Sequence, residues 1–276
     1  MKYRHAFHAG NFADVHKHVT LLALLAALAR KEKGFLYLET HSGRGAYELA
    51  SGESAGGIGK LARSTCVADE LRTYAQRVSS YRTETHNSHA YPGSPLLACR
   101  ELRQQDRAVL IEQAPAEAGA LERSLEAVSL SARVRIERGD GFELLRASLP
   151  PAERRGLTFI DPPYEETHED FARVSAAIAE ALRRFATGVI AAWYPIKDDR
   201  LTGPWLAALG RTLECEAFLG ELWLYPRDAR VALNGSGVLV VNPPYRIAQR
   251  MQEWLPELLK ILQAGPDGGV SIRRLR

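Results

Sequence analysis

The chain has 276 residues, 46% apolar and 25% charged, which is enough to bury one large core and excludes a disordered chain. Thirty-six Lys plus Arg against 33 Asp plus Glu give a formal charge of +3, which excludes a polycationic tail-like binder but leaves room for a local basic face. Three cysteines without a CxxC spacing exclude a disulfide framework and a cysteine zinc site.

The first residues, MKYRHAFHAGNFADVHKH, contain no apolar signal core, and the apolar run Val19 to Leu28 stops short of the ~20 residues of a membrane span. A soluble, cytoplasmic protein with no membrane segment is expected. Asn11 reads as a helix N-cap, with Asp14 three residues on and Val15, Val19, Leu22 and Leu25 at helical spacing; Gly34 is the expected stop. FLYLE (35–39) is a short apolar run that halts at THSGRG, the pattern of a buried strand feeding a glycine turn. Residues 50–92 begin rich in glycine, continue through a helical stretch from about Lys60 to Tyr81 and end in polar THNSHAYPG.

From Ser94 the alternation is regular. Ser94 is placed to cap a helix with Pro95 at its first position, running to about Gln104. AVLIE (108–112), RVRIER (133–138) and LTFID (157–161) then read as strands separated by helices, and Phe171, Val174, Ile178, Leu182 and Phe185 mark one helix face. GVIAAWYP (188–195) follows as a strand. EAFLGELWLYP (216–226) and GVLVVNPPY (237–245), joined by a polar turn containing Asn234-Gly235, read as an antiparallel pair at the end of the sheet.

Repeated strand–helix units with apolar strands predict an α/β fold with a mostly parallel sheet covered on both faces, which binds ligands at the carboxyl ends of its strands. Those ends carry His41, Ser42 and Gly43, then Glu112, then Asp140, then Asp161. In a nucleoside-binding sheet the first turn is glycine-rich so that backbone can approach the ligand, and an acid ending the second strand can hold the ribose hydroxyls. An acid after the third strand can accept from an adenine amino group. Each feature also has a plain structural reading: a steric glycine turn, a solvated strand end, or an N-cap at Asp140-Gly141. It is their order that favours a nucleoside cofactor. The usual spacing from glycine turn to ribose acid is ~20 residues, so the longer gap here predicts an inserted, mainly helical lobe over residues 50–92, within a single domain spanning 1–276. GGIGK (56–60) lacks the earlier glycine and the following Ser or Thr of a phosphate loop.

FIDPPYE (159–165) suits a planar amine. Asp161 and the Pro162 carbonyl can each accept one N–H, the two prolines stiffen the turn, and the ring of Tyr164 can stack on a base for ~1–3 kcal/mol. With both hydrogens bound, the nitrogen lone pair is free to meet an electrophile, and methyl transfer then needs mainly proximity and aim. The near twin VVNPPYR (240–246) ends what reads as the last strand and is expected to be structural.

The blocks YRHAFHAGNFADVHKH, FLYLETHSGRGAYEL, YPGSPLLA, DGFELL, FIDPPYE and WYP together resemble the bacterial RlmJ family, the large-subunit ribosomal RNA adenine-N6 methyltransferases, over essentially the whole chain. The resemblance implies a class I S-adenosylmethionine-dependent methyltransferase fold, Rossmann-like with a seven-stranded, mostly parallel sheet and a small helical insertion. It implies S-adenosylmethionine as donor and an unpaired or flipped adenine of 23S rRNA as acceptor. It marks His18, His41, Ser94, Glu112, Asp140, Gly141 and Asp161 as cofactor contacts, Asp161 also as proton acceptor, and Tyr3 as a residue that meets the RNA. His41 stands where the general class I motif has its first glycine, a form that is this family's own. A zinc site built from His5, His8, His16 and His18 lacks a completing Cys or carboxylate cluster, so no metal is expected. A monomer is expected. The competing readings are a DNA adenine-N6 or cytosine-N4 methyltransferase, which would use the same amino geometry, and a silent RNA-binding module on the same fold.

Overall fold

A computed structural model describes residues 8–49, 52–165, 167–197, 199–229, 231–263, 265 and 267–276. Tyr3, Arg4 and His5 lie outside the described residues. The elements run α1 (Phe12–Ala29), β1 (Leu36–Glu39), β2 (Ala46–Glu48), α2 (Glu53–Gly56), α3 (Ile58–Ala62), α4 (Asp69–Glu84), β3 (Ala90–Pro92), α5 (Ser94–Glu101), β4 (Arg107–Glu112) and α6 (Pro115–Glu126). They continue as β5 (Arg133–Arg138), α7 (Gly141–Leu144), β6 (Gly156–Ile160), α8 (Thr167–Arg184), β7 (Val189–Ile196), α9 (Asp199–Thr212), β8 (Ala217–Trp223), β9 (Gly235–Val241), α10 (Ile247–Leu262) and β10 (Gly269–Arg274).

The main sheet has eight strands, not seven, in the order β10-β8-β9-β7-β6-β1-β4-β5. Strands β5, β4, β1, β6 and β7 are parallel, β9 enters antiparallel between β7 and β8, and β10 adds an antiparallel edge beyond β8. The extra strand is the carboxyl-terminal one, whose GVSIRR sequence is half polar because an edge strand is only partly covered. The antiparallel pair of β8 and β9 forms as expected, but Asn234 is not an exposed turn tip. It is buried, accepts from the Tyr225 amide and donates to the Pro226 carbonyl, fastening an eleven-residue connection (224–234) from inside.

Helices cover both faces. One core joins α1, α3, α4, α5, α6 and α10 to the sheet, and a second joins α8 and α9 to the other side. The segment after β1 is held by the β2–β3 ribbon, and its longest helix, α4, packs on α1 and α10 within the first core. Its helical part is broken into α3 and α4 where one stretch is expected from Lys60 to Tyr81. Ala68 precedes α4 with no side-chain cap, and the carboxylate of Glu257 from α10 takes the amides of Val67 and Ala68 in its place.

Helix α1 begins as read, with Asn11 Oδ1 accepting from the amides of Ala13 and Asp14 at 3.0 Å each. It stops at Ala29, five residues before Gly34, because the chain must turn into β1; Gly34 is needed where a Cβ would sit 2.0 Å from the Gln105 carbonyl oxygen. By length and composition α1 could cross a membrane, but 78% of it is buried inside the fold. Ser94 is the first residue of α5, not its cap; Gly93 takes that place, and the Ser94 hydroxyl turns inward to the carboxylate of Glu39.

The two PPY stretches sit at opposite ends of the sheet. Ile160 pairs with Ala192, so Asp161 falls level with Trp193, whereas Val241 pairs with Ile190 and Asn242 falls level with Val189. Four residues of β7 separate them, ~13 Å at strand spacing. Asn242, at φ 49°, donates to the carbonyls of Ala186 and Gly188 at 2.8 and 2.9 Å and locks β9 to the start of β7. Asn242→Ala should therefore lower the unfolding free energy by about 2 kcal/mol in urea titrations while leaving ligand binding at the far end of the sheet unchanged; loss of that binding with stability intact would contradict this placement.

Candidate active site

The carboxyl ends of β1, β4, β5 and β6 converge, as the alternation predicts. The turn after β1 is anchored by Thr40 N to the Phe159 carbonyl at 3.1 Å and by Ser42 N to the Ile111 carbonyl at 2.9 Å. Gly43 and Gly45 have φ of 61° and 80°, a region that penalises any Cβ. The Glu112 carboxylate accepts from the amides of Gly43 and Ala114 at 2.8 Å each, which fixes its orientation over the turn. Gly141 meets an equally strict demand: a Cβ there would lie 1.8 Å from the Thr40 carbonyl oxygen, so only glycine lets the start of α7 approach the turn.

Asp140 caps α7 through the amides of Phe142 and Glu143 and is paired with Arg173 of α8. Burial raises its pKa, but the Arg173 guanidinium and the Phe142 amide outweigh that and hold the carboxyl below its ordinary range. Arg173, already paired with Asp140, also lies with its guanidinium 4.4 Å from the centroid of the Phe142 ring. His41 packs edge-on against that same ring at 4.7 Å and contacts Thr40 Oγ1 through Nδ1 at 2.8 Å; burial pushes its pKa down to about 4, so the imidazole is neutral near pH 7.

The residues fit a nucleoside cofactor on one further observation: Ser42 Oγ is buried in the turn with no partner among the described residues. Glu112, Asp140 and the glycine turn lie together at the carboxyl edge of the sheet, the edge at which open α/β sheets bind ligands. Among the described residues no group of three or more His, Cys, Asp or Glu is arranged to hold a metal ion.

Asp161 follows β6 and accepts from Lys17 Nζ at 2.6 Å, and Lys17 also pairs with Asp14 at 3.0 Å. This lysine, which carried no expectation, is the one Lys or Arg of α1 and lies in its polar first half, between His16 and His18. Pro162 is buried and Pro163 exposed. Tyr164, expected to offer a stacking face, is 2% exposed: its hydroxyl donates to the Trp193 carbonyl at 2.6 Å and its ring packs against Phe171 and Trp193. The aromatic surface beside Asp161 is instead the half-buried indole of Trp193, whose centroid lies 5.4 Å from Lys17 Nζ.

His18 is 1% exposed and contacts the Tyr91 hydroxyl at 3.0 Å, which in turn meets Tyr74 at 2.8 Å, so its ring ties α1 to the inserted segment. Ser94 reaches the site through Glu39, which is fully buried and also accepts from Tyr37 at 2.9 Å. Burial pushes the Glu39 pKa up to about 8 against the opposing hydrogen bonds from Ser94 and Tyr37.

An open, mostly parallel sheet reversed by an antiparallel strand between β7 and β8, with a glycine turn and ordered acids at its carboxyl edge, defines a class I S-adenosylmethionine-dependent methyltransferase. Residues 32–275 match the family described as ribosomal RNA large subunit methyltransferase D, RlmJ, and the chain belongs to that family. A Haemophilus influenzae protein named ribosomal RNA large subunit methyltransferase J is 40% identical over 274 residues, covering 97% of this chain and 95% of its own length. The Escherichia coli protein of the same name is 39% identical over 272 residues, 96% of this chain and 95% of its own. A crystal structure of a Legionella pneumophila protein superposes with a TM-score of 0.87 at 36% identity, covering 96% of this chain and 98% of that one.

Glu39 makes the stability of the ligand-free protein depend on pH. Its folded pKa lies above the ordinary 4.5, so the contribution is fully present below pH 4.5 and is lost as pH rises through about 8. Thermal unfolding followed from pH 5 to 9 should show this decline, and Glu39→Gln should flatten it; parallel curves for the two proteins would remove Glu39 as the cause.

Proposed function

We propose that this protein transfers a methyl group from S-adenosylmethionine to the N6 amino group of one adenine in 23S rRNA. It acts in the cytoplasm as a monomer, on RNA that is protein-free or only partly assembled. The observation that carries the reading is Asp161, a carboxylate at the end of β6 held by Lys17 at 2.6 Å beside the cofactor turn.

When bound, the cofactor supplies a methyl group activated on a sulfonium. Glu112, Asp140 and the glycine turn orient it, with His41, Ser94 and Gly141 shaping the same pocket and His18 bracing α1 beneath it. The Asp161 carboxylate and the Pro162 carbonyl accept the two N6 hydrogens, which turns the nitrogen lone pair toward the methyl group. As the N–C bond would form and the S–C bond break, leaving the cofactor a neutral thioether, the nitrogen would become cationic, and a proton on such a nitrogen is acidic enough for the Asp161 carboxylate to take it. The Lys17 ammonium offsets the negative charge of Asp161 between turnovers. N6 lies on the base-pairing edge, so the adenine must be unpaired or flipped out of a helix. Because Tyr164 is enclosed, Trp193 is the residue that supports the base face. Tyr3 meets the RNA.

Nucleoside mass spectrometry of 23S rRNA from a strain lacking the protein tests this reading. Complementation with the wild-type chain should restore one N6-methyladenosine per 23S rRNA, and Asp161→Ala should restore none. Trp193→Ala should reduce the rate on a transcribed rRNA fragment by about tenfold or more, as the loss of ~1–3 kcal/mol of stacking implies. Full methylation by Asp161→Ala would end the assignment.

A further inference from the structure

Resting on the reading that the target base lies against Trp193, we propose that His16 and Ser236 are positioning residues that fix the plane of the Trp193 indole through a buried hydrogen-bond relay. Trp193 Nε1 donates to Ser236 Oγ at 2.9 Å, and the same oxygen lies 2.9 Å from His16 Nδ1. Both His16 and Ser236 are completely buried.

One direction in the relay is fixed by chemistry. An indole N–H only donates, so Ser236 Oγ accepts from Trp193 and keeps its hydroxyl hydrogen and a second lone pair with which to meet His16 Nδ1. Burial pushes the pKa of His16 down to about 3, with a smaller opposing contribution from the Ser236 backbone, so the ring is neutral at neutral pH.

His16 Nε2 and, on the neighbouring ring 6.0 Å away, Trp254 Nε1 have no hydrogen-bond partner among the described residues. Two apolar side chains at 16 and 236 would remove the unpaired His16 Nε2 but would leave Trp193 Nε1 without its acceptor. What the polar pair adds is control of a rotation. Packing against Tyr164 confines the indole, but only a bond to Nε1 selects one orientation of its plane. Placement matters because His16 adjoins Lys17. The same turn of α1 therefore holds Asp161 through one residue and Trp193 through the next.

The test uses the full chain and a protein-free 23S rRNA transcript. Ser236→Ala and His16→Leu should each lower kcat by about ten- to a hundredfold, the scale of a misplaced reacting group, with S-adenosylmethionine affinity by calorimetry unchanged. His16→Asn, whose side-chain amide can accept from or donate to the Ser236 hydroxyl as Nδ1 does, should recover most of the loss. In a Trp193→Phe background, which has no N–H to hold, Ser236→Ala should cause no further loss. Wild-type rates in Ser236→Ala and His16→Leu, or an equal loss in both backgrounds, would overturn the relay alone. A wild-type protein inactive on this RNA would instead sink the underlying reading, and the relay with it.

Discussion

Lys17 governs the architecture of this protein. An ammonium group carried into a core is costly unless it is paired, and here its side chain is 5% exposed between Asp14, at 3%, and Asp161, at 12%. The partners come from the same helix and from the end of β6, 144 residues away. One ammonium group thus bridges α1 and the end of β6, which couples the position of α1 over the sheet to the position of Asp161. The polar first half of α1 lies over the carboxyl ends of the strands, and its apolar second half fills the core behind them.

That arrangement explains which parts were legible in the sequence. The strands LYLE, RAVLIE and GLTFI were readable because burial on both faces makes each a nearly continuous apolar run, and RVRIER because it alternates at the sheet edge; each halts at a glycine or an acid. The order of Glu112, Asp140 and Asp161 could be read because sheet topology brings consecutive strand ends to one edge. What could not be read was pairing between distant segments. Nothing local to Lys17 points to Asp161, nothing local to Ser94 points to Glu39, and nothing local to Asp140 points to Arg173. Tyr164 misled for a related reason: a tyrosine next to two prolines reads as a free face, yet its ring is claimed by Phe171 and Trp193.

The carboxyl-terminal elements were missed differently. Helix α10 has a plain stripe at Ile247, Met251, Trp254, Leu255, Leu258 and Leu262, and only Pro256 within it argues against a helix. Strand β10 carries little signal because an edge strand buries little. Its addition gives the sheet an eighth strand without altering the class of fold, since it pairs beyond the β9 reversal and far from the cofactor edge.

The twin motifs separate sequence pattern from chemistry. Both put two prolines and an aromatic residue after a strand, and both reach positive φ, at Tyr164 in one and at Asn242 and Arg246 in the other. The Asn242 amide is committed to the carbonyls of Ala186 and Gly188, and Tyr245 is left 78% exposed with Arg246 over its own ring. At FIDPPYE the aromatic residue is committed instead, and the acid keeps capacity to accept. A carboxylate held by one ammonium contact on one oxygen retains lone pairs for a second donor, and the sheet brings that donor's site to the edge where Glu112 and Asp140 converge. Two prolines after a strand therefore set the shape of the turn, while the strand's direction in the sheet decides whether the polar residue before them faces a ligand or the fold's own backbone.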